Sequence, residues 1–191
     1  MTVIDVHHAI LPLTASVQPS PLKLMEAAQA LTGFDGVKVF SPADMVLHSA
    51  VHLFNDGEFD HGLRDLLDLH HLLQHFGGQP IFWTTLIARA NELELTRPLF
   101  YALRYTSQIL HTPISSDVMR AAEVGRPNIL LLLLMDALFA RALMPIHESC
   151  SDWLTGSAHR ALYIRANWLR MPPILLARHL FHKAFISLKE D

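Results

Sequence analysis

Proline and glycine cut this chain into segments whose apolar residues recur three or four positions apart, a spacing that specifies amphipathic helices and little else. Ser20-Pro21 opens the first: a serine cap, then proline at a position whose N–H has no intrahelical partner to lose. Its helix, LKLMEAAQAL, is expected to run to about Leu31 and stop at Thr32-Gly33. Ser41-Pro42-Ala43-Asp44 repeats the signature with an acid in the first turn, where the helix dipole favours negative charge. That second helix carries Met45, Leu47, His48, Val51, His52 and Phe54 and ends at Asn55-Asp56-Gly57. Further helices are expected at Phe59–Phe76, Ile81–Leu93, Thr96–His111, Ser116–Val124, Ile129–His147, Gly156–Leu169 and Pro173–Leu188. Gly77-Gly78, Pro113, Pro127 and Pro172-Pro173 separate the neighbours. Two stretches read as extended: Val3–Leu13, which alternates loosely, and Val37–Phe40, which is too short for a helix. A lone strand leaves its backbone groups unpaired, so these two are expected to pair with each other or with a second subunit. The predicted fold is mainly α: a helical bundle of about eight or nine helices with a small extended element at its N-terminal edge.

The 191 residues suffice for one core, and 51% of them are apolar against 17% charged. That excess predicts helices buried on more than one side, or a surface covered by a second copy or partner. A formal charge of −3 gives no broad basic field, which argues against a nucleic-acid surface. Arg160, Arg165, Arg170, Arg178 and Lys183 form a local basic strip that reads as a solvated helix face. The run Asn128–Ile146 has nearly the length to span a bilayer, but it contains Asp136 and Arg141. Each would cost roughly 2.5–3.5 kcal/mol at mid-membrane, and five residues apart they are poor partners on one helix. A buried helix in a chain that does not enter the membrane fits better. The start, MTVIDVHHAILPL, lacks a basic segment followed by an apolar core, so a cytoplasmic location is expected. The single cysteine, Cys150, has no intrachain partner and no Cys–His–Asn pattern around it.

Histidines supply the densest polar pattern. Asp44, His48, His52 and Asn55 fall three or four apart and share a helix face, and two histidines at i and i+4 suit one metal ion. On the next helix His61, Arg64, Asp68, His71 and His75 form a second stripe. A metal-dependent hydrolase using His48, His52 and a ligand from that helix is one reading. Against it, the H-E-x-x-H glutamate is missing, no His-Asp dipeptide occurs, and Arg64 is placed to pair with Asp68 and to repel a dication. Histidines that hydrogen-bond across a helix interface or face solvent are the alternative. Asp5 and His7 form another pair, pointing to one side of a strand. Glycine-rich phosphate loops and a G-x-S-x-G elbow are absent.

Three stretches in order carry a resemblance: Ile4-Asp5-Val6-His7; then FSPADMVLHSAVHLF with GLRDLLDLHHLL; then FWTTLIARANELELTRPLFYALRYTSQILHTPI. The chain resembles the bacterial uncharacterised nucleotidyltransferase family, a branch of the polymerase-β-like nucleotidyltransferase superfamily. The residues that match are Asp5, His7, Ser41, Pro42, Asp44, His48, His52, Arg64, Asp68, Leu72, Trp83, Leu86, Arg89 and Ala90. In such enzymes a Gly-Ser turn precedes an Asp-x-Asp pair, and that pair with a third carboxylate on a later strand holds divalent metal against the nucleotide's phosphates. The resemblance implies that Asp5 is the third carboxylate and a ligand of Mg²⁺, with a nucleotide as partner. No Asp-x-Asp occurs anywhere in the sequence.

Residues 1–40 are therefore expected to be a remnant of the catalytic core and 41–191 a helical domain. The function expected is that of a truncated or degenerate nucleotidyltransferase-like protein, its helical portion binding acceptor or partner and inactive alone. As an enzyme it would be a nucleotidyltransferase by resemblance, with the Gly-Ser and Asp-x-Asp elements missing. A non-enzymatic helical module that forms a homo-oligomer is the main alternative. His7, His48, His52, Arg64 and Asp68 are the candidate site or interface residues beside Asp5.

Overall fold

The computed structural model describes residues 9–172 and 174–177. Among them the chain forms α1 (Pro21–Ala27), β1 (Gln29–Ala30), β2 (Lys38–Val39), α2 (Pro42–Asn55), α3 (Gly62–Gly77), α4 (Phe82–Glu92) and α5 (Thr96–Leu110). Then come α6 (Ser116–Ala122), a 3₁₀ turn (Glu123–Gly125), α7 (Ile129–Ala142), a second 3₁₀ turn (Glu148–Cys150) and α8 (Thr155–Arg170). The mainly α reading with a small β element near the N-terminal side holds.

Side chains close the helix starts where the sequence signals them. Ser20, Ser41, Ser115 and Asn128 accept hydrogen bonds from the backbone N–H three residues on. Each such cap is worth about 1 kcal/mol. α5 ends at His111, which takes a left-handed conformation and bonds its N–H to Thr106 O.

The expected extended stretch Val37–Phe40 holds β2, but its partner differs from expectation. Ala9–Leu13 forms bends and turns rather than a strand, and Val3–His8 lies outside the described residues. α1 stops at Ala27, short of Leu31, and Gln29–Ala30 leaves the helix to pair antiparallel with Lys38–Val39. Gln29 faces Val39 and Ala30 faces Lys38. A helix that short gains little from one more turn. The glycines at 33 and 36, both at positive φ, let the chain double back and give β2 a local partner. α7 likewise ends at Ala142 rather than His147, because Pro145 has no N–H to continue the ladder. Of the expected Pro173–Leu188 helix, residues 174–177 are helical and the rest lies outside the described residues.

The core is centred on α2, which buries Ala43, Val46, Leu47, Ala50, Val51, Leu53 and Phe54 and packs against α3, α4, α5 and α8. α5 crosses it, α6 and the first 3₁₀ turn pack on α5, and α7 pairs with α8. Phe54, Tyr101, Tyr105 and Phe139 form an aromatic cluster, with Phe139 edge-on to Phe54 at 5.2 Å and 5.1 Å from Tyr105. Leu11, Ala15 and Leu24 join the same core from the N-terminal stretch.

No helix among the described residues is long and apolar enough to cross a membrane. The two charges in α7 each find a partner on another segment. Asp136 accepts from Arg104 Nε (2.9 Å), Arg104 Nη2 (2.7 Å) and Tyr105 Oη (2.9 Å), while Arg141 pairs with Asp152. Burial works to raise the Asp136 pKa, but the bonds from Arg104 and Tyr105 outweigh it and hold the carboxyl below the usual range. The helix is not buried all round. Leu132, Met135, Phe139 and Ala142 form one buried stripe, while Leu130, Leu133 and Leu134 are exposed.

Candidate functional site

The serine cap of α2 aims Asp44 inward, where the carboxylate is fully buried. Burial of a charge demands a partner, and Arg89 of α4 supplies it. Arg89 Nε donates to Asp44 Oδ1 at 2.8 Å, Nη2 donates to Oδ2 at 3.1 Å, and Ser41 Oγ donates to Oδ2 at 2.8 Å. Arg89 also donates to Glu92 Oε2 and to the carbonyl of Lys23, both at 2.8 Å, so one guanidinium ties α1, α2 and α4. The bonds to Asp44 and the one to Glu92 raise the Arg89 pKa despite burial. All carboxylate oxygens here are engaged, which makes Asp44 a structural clip. The helix spacing had grouped it with the histidines.

One turn on, His48 and His52 stand 4.4 Å apart between ring centroids, and Phe40 lies 5.3 Å from His48 on the other side. His52 Nδ1 is 2.7 Å from Asp56 Oδ2, and Asp56 also receives Arg170 of α8. The Asp56 bond raises the His52 pKa above 6.5, outweighing burial and the Arg170 charge. So His52 belongs to a His–Asp–Arg chain joining α2 to α8. Asp56 was not a candidate residue, although its i+4 spacing from His52 was legible.

The second stripe does not join this group. Arg64 is largely exposed and its nearest acid is Asp65 at 3.4 Å, in place of the expected Asp68, which is itself exposed. His61, His71 and His75 are exposed as well. α3 instead buries Leu66, Leu69 and Leu73, which turns the polar stripe to solvent. Asp5 and His7 lie outside the described residues. Among the described residues no three His, Cys, Asp or Glu side chains converge as a metal site.

The basic strip on α8 divides. Arg160 faces solvent, but Arg165 turns inward: its Nη1 donates to Phe54 O at 2.7 Å and its guanidinium lies 5.6 Å from the Tyr101 ring and 5.8 Å from Phe139. Burial lowers its pKa. Arg178 and Lys183 lie outside the described residues. A solvated face therefore does not describe Arg165 or Arg170, which bond back to the end of α2.

No curated protein and no solved structure matches the chain. Residues 1–111 match the family described as uncharacterised nucleotidyltransferase. That match spans α1 to α5 and includes the whole Ser41–Asp44–Arg89 clip and the His48, His52, Asp56 turn. The ordered motifs and the match over more than half of the chain agree, and this protein belongs to the uncharacterised nucleotidyltransferase family.

Proposed function

We propose that the helical body is the acceptor- or partner-binding portion of a nucleotidyltransferase-like protein, and that these 191 residues do not transfer nucleotides by themselves. The observation that carries this reading is the family match over residues 1–111 in a sequence without an Asp-x-Asp pair. Nucleotidyl transfer needs carboxylates converging on divalent metal. Asp44, the one fully buried aspartate of α2, is committed to Arg89 and Ser41. Asp5 is left as the family's third carboxylate, with Mg²⁺ and a nucleotide as its ligands if the remaining acids are supplied from elsewhere. In this reading residues 1–40 derive from the catalytic core, residues 41–191 form the helical part, and the protein works in the cytoplasm. The test is incubation of the purified chain with labelled ATP and Mg²⁺. No label transfer is expected, and turnover that Asp5→Asn abolishes would overturn the proposal.

A second reading, a non-enzymatic homo-oligomer, is favoured by the outer face of α7. Leu130 and Leu133 are 78% and 59% exposed there. A patch of that kind in water calls for cover. Analytical ultracentrifugation giving a clean monomer at high concentration would remove it.

A further inference from the structure

A cleft of about 670 Å³ opens between residues 11–17, the start of α5, α7 and α8. Its size lies within the roughly 300–1,000 Å³ of small-molecule sites, too small for a docked domain. Most of its wall is apolar, with Leu131, Leu134, Met135 and Leu138 from α7 and Trp168 from α8. Trp168 is 59% exposed, a large aromatic at the edge of an open apolar space. Set into this wall are three arginines, Arg97, Arg165 and Arg170, against one acid, Glu94.

The arginines are incompletely neutralised. Among the described residues neither Arg97 nor Arg165 forms an ion pair with a carboxylate. Arg165 is held by a carbonyl and two aromatic faces, which orient a guanidinium without cancelling its charge. Arg97 is near enough to Arg165 for their like charges to oppose one another. Arg170, paired with Asp56, adds a third guanidinium to the wall. Cations gathered beside an apolar wall suit a ligand that brings negative charge and hydrocarbon together.

We propose that this cleft binds a small organic anion with an apolar body, its carboxylate or phosphate against Arg97, Arg165 and Arg170 and its apolar part against Leu134, Leu138 and Trp168. None of these residues is the Asp5 carboxylate that the transfer test reads, so the failure of this site and the failure of that reading are distinguishable. A charged head placed among guanidinium donors gains bidentate bonds that water otherwise provides. The chain of the ligand removes Trp168 and the inner leucines from solvent.

The test is calorimetric titration of the full chain with decanoate, decyl phosphate, decanol, inorganic phosphate and ATP, with tryptophan fluorescence as a second readout. Decanoate or decyl phosphate is expected to bind at least about tenfold tighter than decanol and than inorganic phosphate, and to shift the emission to the blue. The tighter of the two decyl ligands identifies the head group. Arg97→Gln, at an exposed position, is expected to weaken the anionic ligand at least about threefold while leaving decanol unchanged. Arg165→Gln should weaken it further. Because Arg165 also holds Phe54 O, its fold is checked by circular dichroism, and Arg97→Gln carries the test if that variant unfolds. Equal affinity for decanol and decanoate, ATP binding tighter than decyl phosphate, an unchanged head-group preference in Arg97→Gln, or no binding by any of these would each overturn the proposal.

Discussion

Replacing Asp44 with alanine tests whether the clip between α2 and α4 holds the fold. The substitution deletes the acceptor of two Arg89 bonds, at 2.8 and 3.1 Å, and of the Ser41 hydroxyl at 2.8 Å. Breaking a buried ion pair from one side costs roughly 3–5 kcal/mol, because the surviving charge is left without its counterion. Arg89 is 12% exposed and keeps Glu92 and the Lys23 carbonyl, so the loss falls at the lower end, about 3 kcal/mol. At roughly 2–4 °C per kcal/mol for a chain of this size, the melting temperature should fall by about 6–12 °C. Urea unfolding followed by circular dichroism measures it, with the midpoint moving and the slope unchanged. Adding Arg89→Met to Asp44→Leu should recover about half of the loss or more, since a hydrophobic pair of similar volume leaves no stranded charge. A loss below about 1 kcal/mol for Asp44→Ala would mean that the pair behaves like a solvent-screened surface bridge, and the reasoning would fail.

Two further outcomes follow from the geometry. His52 should titrate above 6.5 by NMR, because the Asp56 bond favours its protonated form; that contribution to stability is full below about 6.5 and is lost as pH rises through the folded value. In Asp56→Asn the midpoint should fall, since burial and Arg170 then oppose protonation with only the weaker Asp65 charge favouring it; an unmoved midpoint would reject the assignment. Gly125→Ala should destabilise by at least about 1–3 kcal/mol, because its Cβ would meet the Thr96 carbonyl oxygen at 2.0 Å, which is backbone and cannot swing away. Gly78→Ala, with nothing within 4 Å, is the neutral control for the same thermal melt.

Most of the helical framework was readable because caps and breakers act locally. Ser20, Ser41, Ser115 and Asn128 accept the bonds that their residue types favour, and α2 and α5 begin where the sequence places them. The first strand of the β hairpin was not readable, since Gln29 and Ala30 have no strand preference and pair with the expected extended stretch only because Gly33 and Gly36 turn the chain. The site was half legible. Spacing put His48 beside His52, but the same helical arithmetic assigned Asp44 to that face, and no local rule announces a partner 45 residues away on α4. Arg165 shows the same limit: a basic residue in a basic strip looks solvated until Phe54, Tyr101 and Phe139 surround it. Arg104 with Asp136 was hidden likewise, although the sequence did show that Asp136 and Arg141 would not pair on their own helix.

Thr14 Oγ1 donates to Arg170 O at 2.6 Å and Ser16 N–H donates to Leu169 O at 3.3 Å, fastening the stretch before α1 to the last turn of α8. Positions more than 150 residues apart are thus expected to open together in amide exchange. A protease cut near Leu13 should therefore be felt first as faster exchange at Asn167–Met171, and the cleft they share would loosen with them.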